Sequence, residues 1–154
     1  MSSPERFRPN VPADVQADME WISRAEHGTR TLYRLLAGRV ADQELAQVLG
    51  EFQREQELQI DQLRRLLERV GVQAGKKLFA RQLIARGLHL ASFLGAQPLA
   101  LRSCLETQST LRHRYSCLGG WFQAEGKQDL ARKCDELALT KTRQMNALQA
   151  WVRS

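Results

Sequence analysis

From residue 14 to residue 151 the apolar side chains recur in steps of three and four, the spacing that keeps one face of an α-helix turned one way. The clearest stripe is Leu45, Leu49, Phe52, Gln56, Gln59, Leu63, Leu66, Val70. Two glutamines, one turn apart, stand at its centre where the pattern asks for apolar groups. An earlier stripe reads Val15, Met19, Ile22, Glu26, Thr29, Tyr33, Leu36, Val40, with Glu26 as the misfit. A later one reads Leu101, Cys104, Gln108, Leu111, Tyr115, Leu118, Phe122, interrupted at Gln108. The last reads Leu130, Cys134, Leu137, Lys141, Gln144, Leu148, Trp151, interrupted at Lys141 and Gln144. Four helices with polar residues at a common depth predict a bundle crossed by a buried polar layer.

Punctuation places the elements. Asp14 and Asp42 open the first two helices, and Gly71 and Gly126 close the second and the fourth. Gly119-Gly120 is expected to loosen the last turns of the helix that carries Gln108. A shorter helix is expected from about residue 77 to 94, between Gly71 and the Gln108 helix. Phe79, Leu83, Leu90 and Leu94 share one of its faces, with Arg81, Gln82 and His89 towards the other. Residues 1–13 hold Pro4, Pro9 and Pro12 without periodicity and read as a flexible arm, leaving 14–154 as the bundle domain. Short connections favour antiparallel neighbours.

Composition narrows the class. Only 6% of the 154 residues are aromatic, and Leu, Ala, Gln, Arg and Glu dominate with few β-branched runs, so the fold is expected to be all-α. The net charge of +6 is unevenly spread. Between Glu68 and Glu106 there is no acidic residue, while Arg69, Lys76, Lys77, Arg81, Arg86 and Arg102 are basic. With Leu78, Leu88 and Phe93 among them, Lys76, Lys77, Arg81, Arg86 and His89 make a candidate surface for anionic lipid. No nucleic-acid motif accompanies the charge, which argues against that partner. Cys104, Cys117 and Cys134 form no CxxC pair and no zinc spacing, and reduced thiols in a cytoplasmic protein are expected. The start, MSSPERFRPN, does not resemble a signal peptide. The longest uncharged stretch, residues 87–101, is too short for a membrane span. A cytoplasmic location is expected, with the basic stretch as a candidate for peripheral contact with the cytoplasmic face of a membrane.

One polar residue from each of two helices, with an i, i+3 pair from each of the other two, is the layout of a carboxylate-bridged di-iron site. Here the set reads Glu26, Gln56-x-x-Gln59, Gln108, Lys141-x-x-Gln144. A rival register through Glu26, Glu55, Glu106 and Glu136 keeps more carboxylates. At about 100° per residue it turns Glu106 and Glu136 towards solvent or a helix edge and leaves the stripe glutamines unexplained.

With these spacings the chain resembles the ferritin-like di-iron demethoxyubiquinone hydroxylases of ubiquinone biosynthesis. The first ligand helix of that family has a Glu seven residues before a tyrosine; here Glu26 precedes Tyr33. A Glu-x-x-His follows thirty residues on, and here it is Gln56-Glu57-Leu58-Gln59. Gln108 stands seven before Tyr115, with His113-Arg114-Tyr115 closing the match, and the final Glu-x-x-His falls on Lys141-Thr142-Arg143-Gln144. Ser92-Phe93-Leu94-Gly95 fits the end of the family's membrane-lying helix. The resemblance spans Asp14 to Trp151 and implies a ferritin-like four-helix bundle with one short additional helix.

Of the six ligand positions only Glu26 keeps the family's residue. A glutamine carbonyl cannot neutralise Fe(II) or Fe(III), and Lys141 sets a cation where a cation should bind. The expectation is therefore a non-catalytic scaffold or accessory protein without cofactor, flanked at the old site by Tyr33 and Tyr115. It would bind an isoprenoid quinone or an anionic lipid surface, a protein partner or a second copy of itself. The alternative is an active di-iron monooxygenase with an unorthodox site. A further expectation is that Glu26 and Lys141 form a buried ion pair, because one Glu and one Lys among neutral amides leave the layer neutral.

Overall fold

The computed structural model describes residues 11–72 and 97–152. Four α-helices make up the described chain: α1 (Ala13–Ala37), α2 (Gln43–Val70), α3 (Gln97–Ala124) and α4 (Gln128–Val152). Their ends follow from local chemistry. Asp42 caps α2, its Oδ1 accepting from the backbone N–H of Glu44 at 2.9 Å and of Leu45 at 3.1 Å. Gly71 ends α2 with φ 76°, in the left-handed region that a residue without Cβ enters freely. Gly126 turns the chain from α3 into α4 in the same way, with φ 74°. Helix α1 starts one residue before Asp14, after Pro12, whose missing N–H and fixed φ suit a helix start. Val11, within the expected arm, packs against the core.

The expected loosening at Gly119-Gly120 does not occur: α3 runs unbroken to Ala124. Gly119 instead serves close packing. A Cβ placed there would lie 3.2 Å from the Cβ of Cys134, so the missing side chain lets α3 and α4 approach closely. Val15, Val40 and Trp151, at the stripe ends, are only half-buried because the helix termini leave the core.

Pairs across the bundle fix the directions. On α1 and α3, Asp18 meets Arg114, Glu26 meets Tyr115, and Tyr33 meets Gln108. On α2 and α4, Arg69 meets Asp129, Gln59 meets Lys141, and Glu55 meets Gln144. From Glu26–Tyr115 to Tyr33–Gln108, and along all three α2–α4 pairs, residue numbers fall on one helix as they rise on the other, so each pair of helices is antiparallel. Helix α2 also runs against α1, joined to it through residues 38–42. Helices α2 and α3 are therefore parallel, and the end of α2 lies at the opposite end of the bundle from the start of α3. Neighbours around the bundle are α1–α2, α2–α4, α4–α3 and α3–α1. The diagonals are α1 with α4 and α2 with α3.

The apolar core is divided. One cluster, with Met19, Ile22, Leu63, Leu66, Leu111, Phe122 and Leu130, fills the end where α1 and α4 begin. The other, with Tyr33, Leu36, Leu45, Leu49, Leu101 and Leu148, fills the end where α2 and α3 begin. Between them the side chains at Glu26, Gln56, Gln59, Gln108, Lys141 and Gln144 are buried and polar. None of the three cysteines is in a disulfide; Cys104 and Cys134 are buried and Cys117 is exposed. The expected short helix over 77–94, and with it Lys76, Lys77, Arg81, Arg86 and His89, lies outside the described residues.

Candidate functional site: a buried polar layer

Each helix supplies its layer residues because the 3.6-residue period returns them to the core face at mid-length. All six stripe positions meet at one depth. At the centre is the ammonium group of Lys141, whose side chain crosses the diagonal from α4 towards α1. Its Nζ lies 2.5 Å from Glu26 Oε1. It donates to Gln59 Oε1 at 2.5 Å and to Gln56 Oε1 at 3.1 Å. An ammonium has three N–H donors, and here three acceptors from two helices take them all.

Glu26 is equally well satisfied. Its Oε1 also accepts from Gln56 Nε2 at 3.0 Å, and its Oε2 accepts from the Tyr115 hydroxyl at 3.1 Å. The same Gln56 amide donates to the Glu26 backbone carbonyl at 3.0 Å. Neither Glu26 nor Lys141 is exposed at all. Isolated charges in such surroundings are strongly unfavourable, so the pair exists because each charge faces the other and the amides complete both shells.

The second half of the layer is a chain of amides. Glu55, half-buried at the edge of α2, accepts from Gln144 Nε2 at 3.0 Å. Gln144 Oε1 accepts from Gln108 Nε2 at 3.0 Å, and Gln108 Nε2 also donates to the Tyr33 hydroxyl. Glu55 pairs outside with Arg143. The carboxylate at one end sets the direction of every amide, since an ionised carboxylate only accepts. Gln108 Oε1 is the one buried side-chain oxygen or nitrogen without a partner among the described residues.

Burial governs the titration of these groups. It pulls the Lys141 ammonium below its usual range, against the opposing pull of Glu26. It pushes the Tyr33 hydroxyl well up, and the Tyr115 hydroxyl too, with the Glu26 charge adding to the second. Both tyrosines are thus neutral hydrogen-bonding groups in a dry layer. The thiols of Cys104 and Cys134 are pushed up to about 12 by burial, so neither is a ready nucleophile.

Sequence reasoning named Glu55 only as a member of the rejected carboxylate register. Its tie to Gln144 follows from side-chain length, which a stripe of Cα positions does not record. Glu106 and Glu136, the other acids of the rival register, are exposed. His113 is exposed, with Nε2 3.7 Å from the Cys117 sulfur on the same outer face of α3. His27 is half-buried at a helix edge. Among the described residues no three His, Cys, Asp or Glu side chains converge as metal ligands. No described helix is long and apolar enough to cross a membrane.

No protein-family model matches the chain, and no curated protein matches it.

Proposed function

We propose that this protein is a ferritin-like bundle in which the buried Lys141 side chain has taken the place of a di-iron centre. It then works without redox catalysis, as a scaffold or accessory protein for an isoprenoid quinone or an anionic lipid surface. The observation that carries the reading is the Lys141 ammonium at the centre of the six positions, held by Glu26, Gln56 and Gln59. The donor set does not fit two irons. It offers one carboxylate, neutral amides and an ammonium, where such a centre needs several charged oxygen ligands and neutral imidazoles. The parallel course of α2 and α3 supports the ferritin-like part of the reading, because such folds carry one long crossover connection.

Elemental analysis of the natively purified full-length protein tests the central claim. The expected result is no stoichiometric iron, manganese or zinc; two irons per chain with an oxo-bridge absorption band would overturn it. The combined substitution of Gln56→Glu, Gln59→His, Gln108→Glu, Lys141→Glu and Gln144→His should then create iron binding. Sedimentation with anionic liposomes tests the lipid part. Binding at low salt should be lost on charge reversal at Arg81 and Arg86, with the helical content unchanged. A wild-type protein that ignores such liposomes ends that part of the proposal.

A further inference from the structure

The polar layer holds the components of a condensation reaction. Lys141 is a primary amine in a site without solvent exposure. The carboxamide of Gln56 lies against it, with Oε1 3.1 Å from Nζ. Glu26 Oε1 touches both reacting groups, at 2.5 Å from Lys141 Nζ and 3.0 Å from Gln56 Nε2. Amine, amide and a carboxylate bridging the amine to the amide nitrogen form a closed triangle on three helices. We propose that Lys141 and Gln56 join in an intramolecular isopeptide bond in the folded protein, with Glu26 carrying the proton.

The step balances without an outside reagent. Glu26 takes one proton from the ammonium, leaving a neutral amine. The Nζ lone pair attacks the Gln56 carbonyl carbon, and a C–N bond forms. The original C–N bond breaks as the amide nitrogen receives a proton that began on Lys141, relayed by Glu26, and departs as ammonia. Of the five protons on the two nitrogens, one stays on the new amide and three leave with ammonia. The fifth remains on Glu26 as a neutral acid or leaves with the ammonia as ammonium.

Three features favour the reaction here. Holding the groups in contact replaces a bimolecular encounter with an intramolecular one. Burial draws Lys141 towards the neutral, nucleophilic form. The product removes the buried ammonium and, with the fifth proton, the buried carboxylate charge, so two desolvated charges disappear together. Gln59 also touches Nζ, at 2.5 Å, but no bond joins its amide nitrogen to Glu26. Its leaving group therefore lacks the proton relay, which singles out Gln56. The Tyr115 hydroxyl holds the far oxygen of Glu26 and keeps the near one on the reacting pair.

Intact-mass spectrometry of the full chain, followed over time after refolding from denaturant, decides the matter. The expected product is lighter than the sequence mass by one ammonia, and its digest contains a branched peptide joining Lys141 to Gln56. Chains kept in denaturant should not lose this mass. Gln56→Leu should abolish the loss, and Glu26→Gln should slow formation of the Lys141–Gln56 link by about 100-fold or more. An unaltered or deamidated mass in the folded wild type overturns the proposal. So does a branch at Gln59, or loss of one water with a link to Glu26. Should a variant fail to fold, the wild-type mass and the branched peptide still give the answer.

Discussion

The two ends of this bundle and its waist solve the same burial problem in opposite ways. At the ends, Met19, Ile22, Leu111 and Phe122 on one side and Leu45, Leu49 and Leu101 on the other pack apolar surface with no directional demand. Each such side chain contributes roughly 1.5–3 kcal/mol through removal from water, whatever it touches. At the waist, Lys141 and Glu26 are stabilised only if particular partners stand at particular distances. An apolar cluster tolerates a neighbour of similar size and shape. The waist tolerates one arrangement of four helices. The ends thus supply stability, and the waist supplies register.

Breaking the waist from one side should have the largest effect. Lys141→Met or Glu26→Gln alone should destabilise the fold by ~3–5 kcal/mol, because the remaining charge is buried without its partner. The double variant should recover much of that loss. Denaturant unfolding of the four proteins, on chains whose mass matches the sequence, gives the coupling as a double-mutant cycle. Additive losses would mean that the two charges act independently.

The ends should behave differently. Ile22→Ala and Leu49→Ala should each cost ~2–5 kcal/mol by loss of transfer energy and creation of a cavity. These two residues lie in separate clusters, so their losses should add in the double variant. Strong coupling between them would show that the polar layer does not divide the core.

Alkaline titration separates the regions by sign. Tyr33, Tyr115, Cys104 and Cys134 all keep their protons in the folded chain after the unfolded chain has lost them. Their stabilising contribution is complete below the ordinary thiol value of 9.0 and is lost as the pH rises past it and past the tyrosine value of 10.0. Lys141 acts in the opposite sense, because its folded value lies below 10.5 and the unfolded chain holds the proton more tightly. Four groups against one should make stability fall above about pH 9. Chemical denaturation across this range, with phenolate absorption followed in parallel, should show the tyrosines ionising only as the chain unfolds. Tyrosine ionisation in the still-folded protein would show that the layer is wet.

Smaller effects belong to the surface. Asp42→Ala should cost about 1 kcal/mol by freeing the first backbone donors of α2. Arg69→Ala, which removes the exposed contact to Asp129, should cost less than about 1 kcal/mol in thermal unfolding. A larger loss at Arg69 than at Asp42 would contradict both estimates.

Much of this was legible in the chain because helical periodicity is strict. A polar residue on a core stripe has nowhere to go but inward, which is how Gln56, Gln59, Gln108 and Lys141 revealed the layer. Periodicity says nothing about which helices touch. That α4 neighbours α2 and faces α1 across the diagonal depends on how the hairpins dock. The reach of Glu55 to Gln144 depends on rotamers, and the course of the amide chain depends on which oxygen carries charge. The glycines at 119 and 120 misled for a related reason. Glycine weakens a helix in isolation, but at Gly119 close contact with Cys134 outweighs that propensity because the second helix needs the space.

The placing of Lys141 also gives the layer a position in time. Its acceptors Gln56 and Gln59 lie 85 and 82 residues earlier in the chain, on the other hairpin. The α1–α2 and α3–α4 hairpins close through local contacts, and long-range contacts must first overcome the entropy of a large loop. Until the hairpins meet, the Lys141 ammonium stays hydrated, and it gives up that water only to a partner that presents Glu26 and two carbonyls together. Misdocked hairpins would bury the charge without those acceptors, an arrangement that is strongly unfavourable. The lysine contacts are thereby expected to form late in assembly, and the signature would be a Lys141→Met protein that unfolds faster while folding at nearly the wild-type rate.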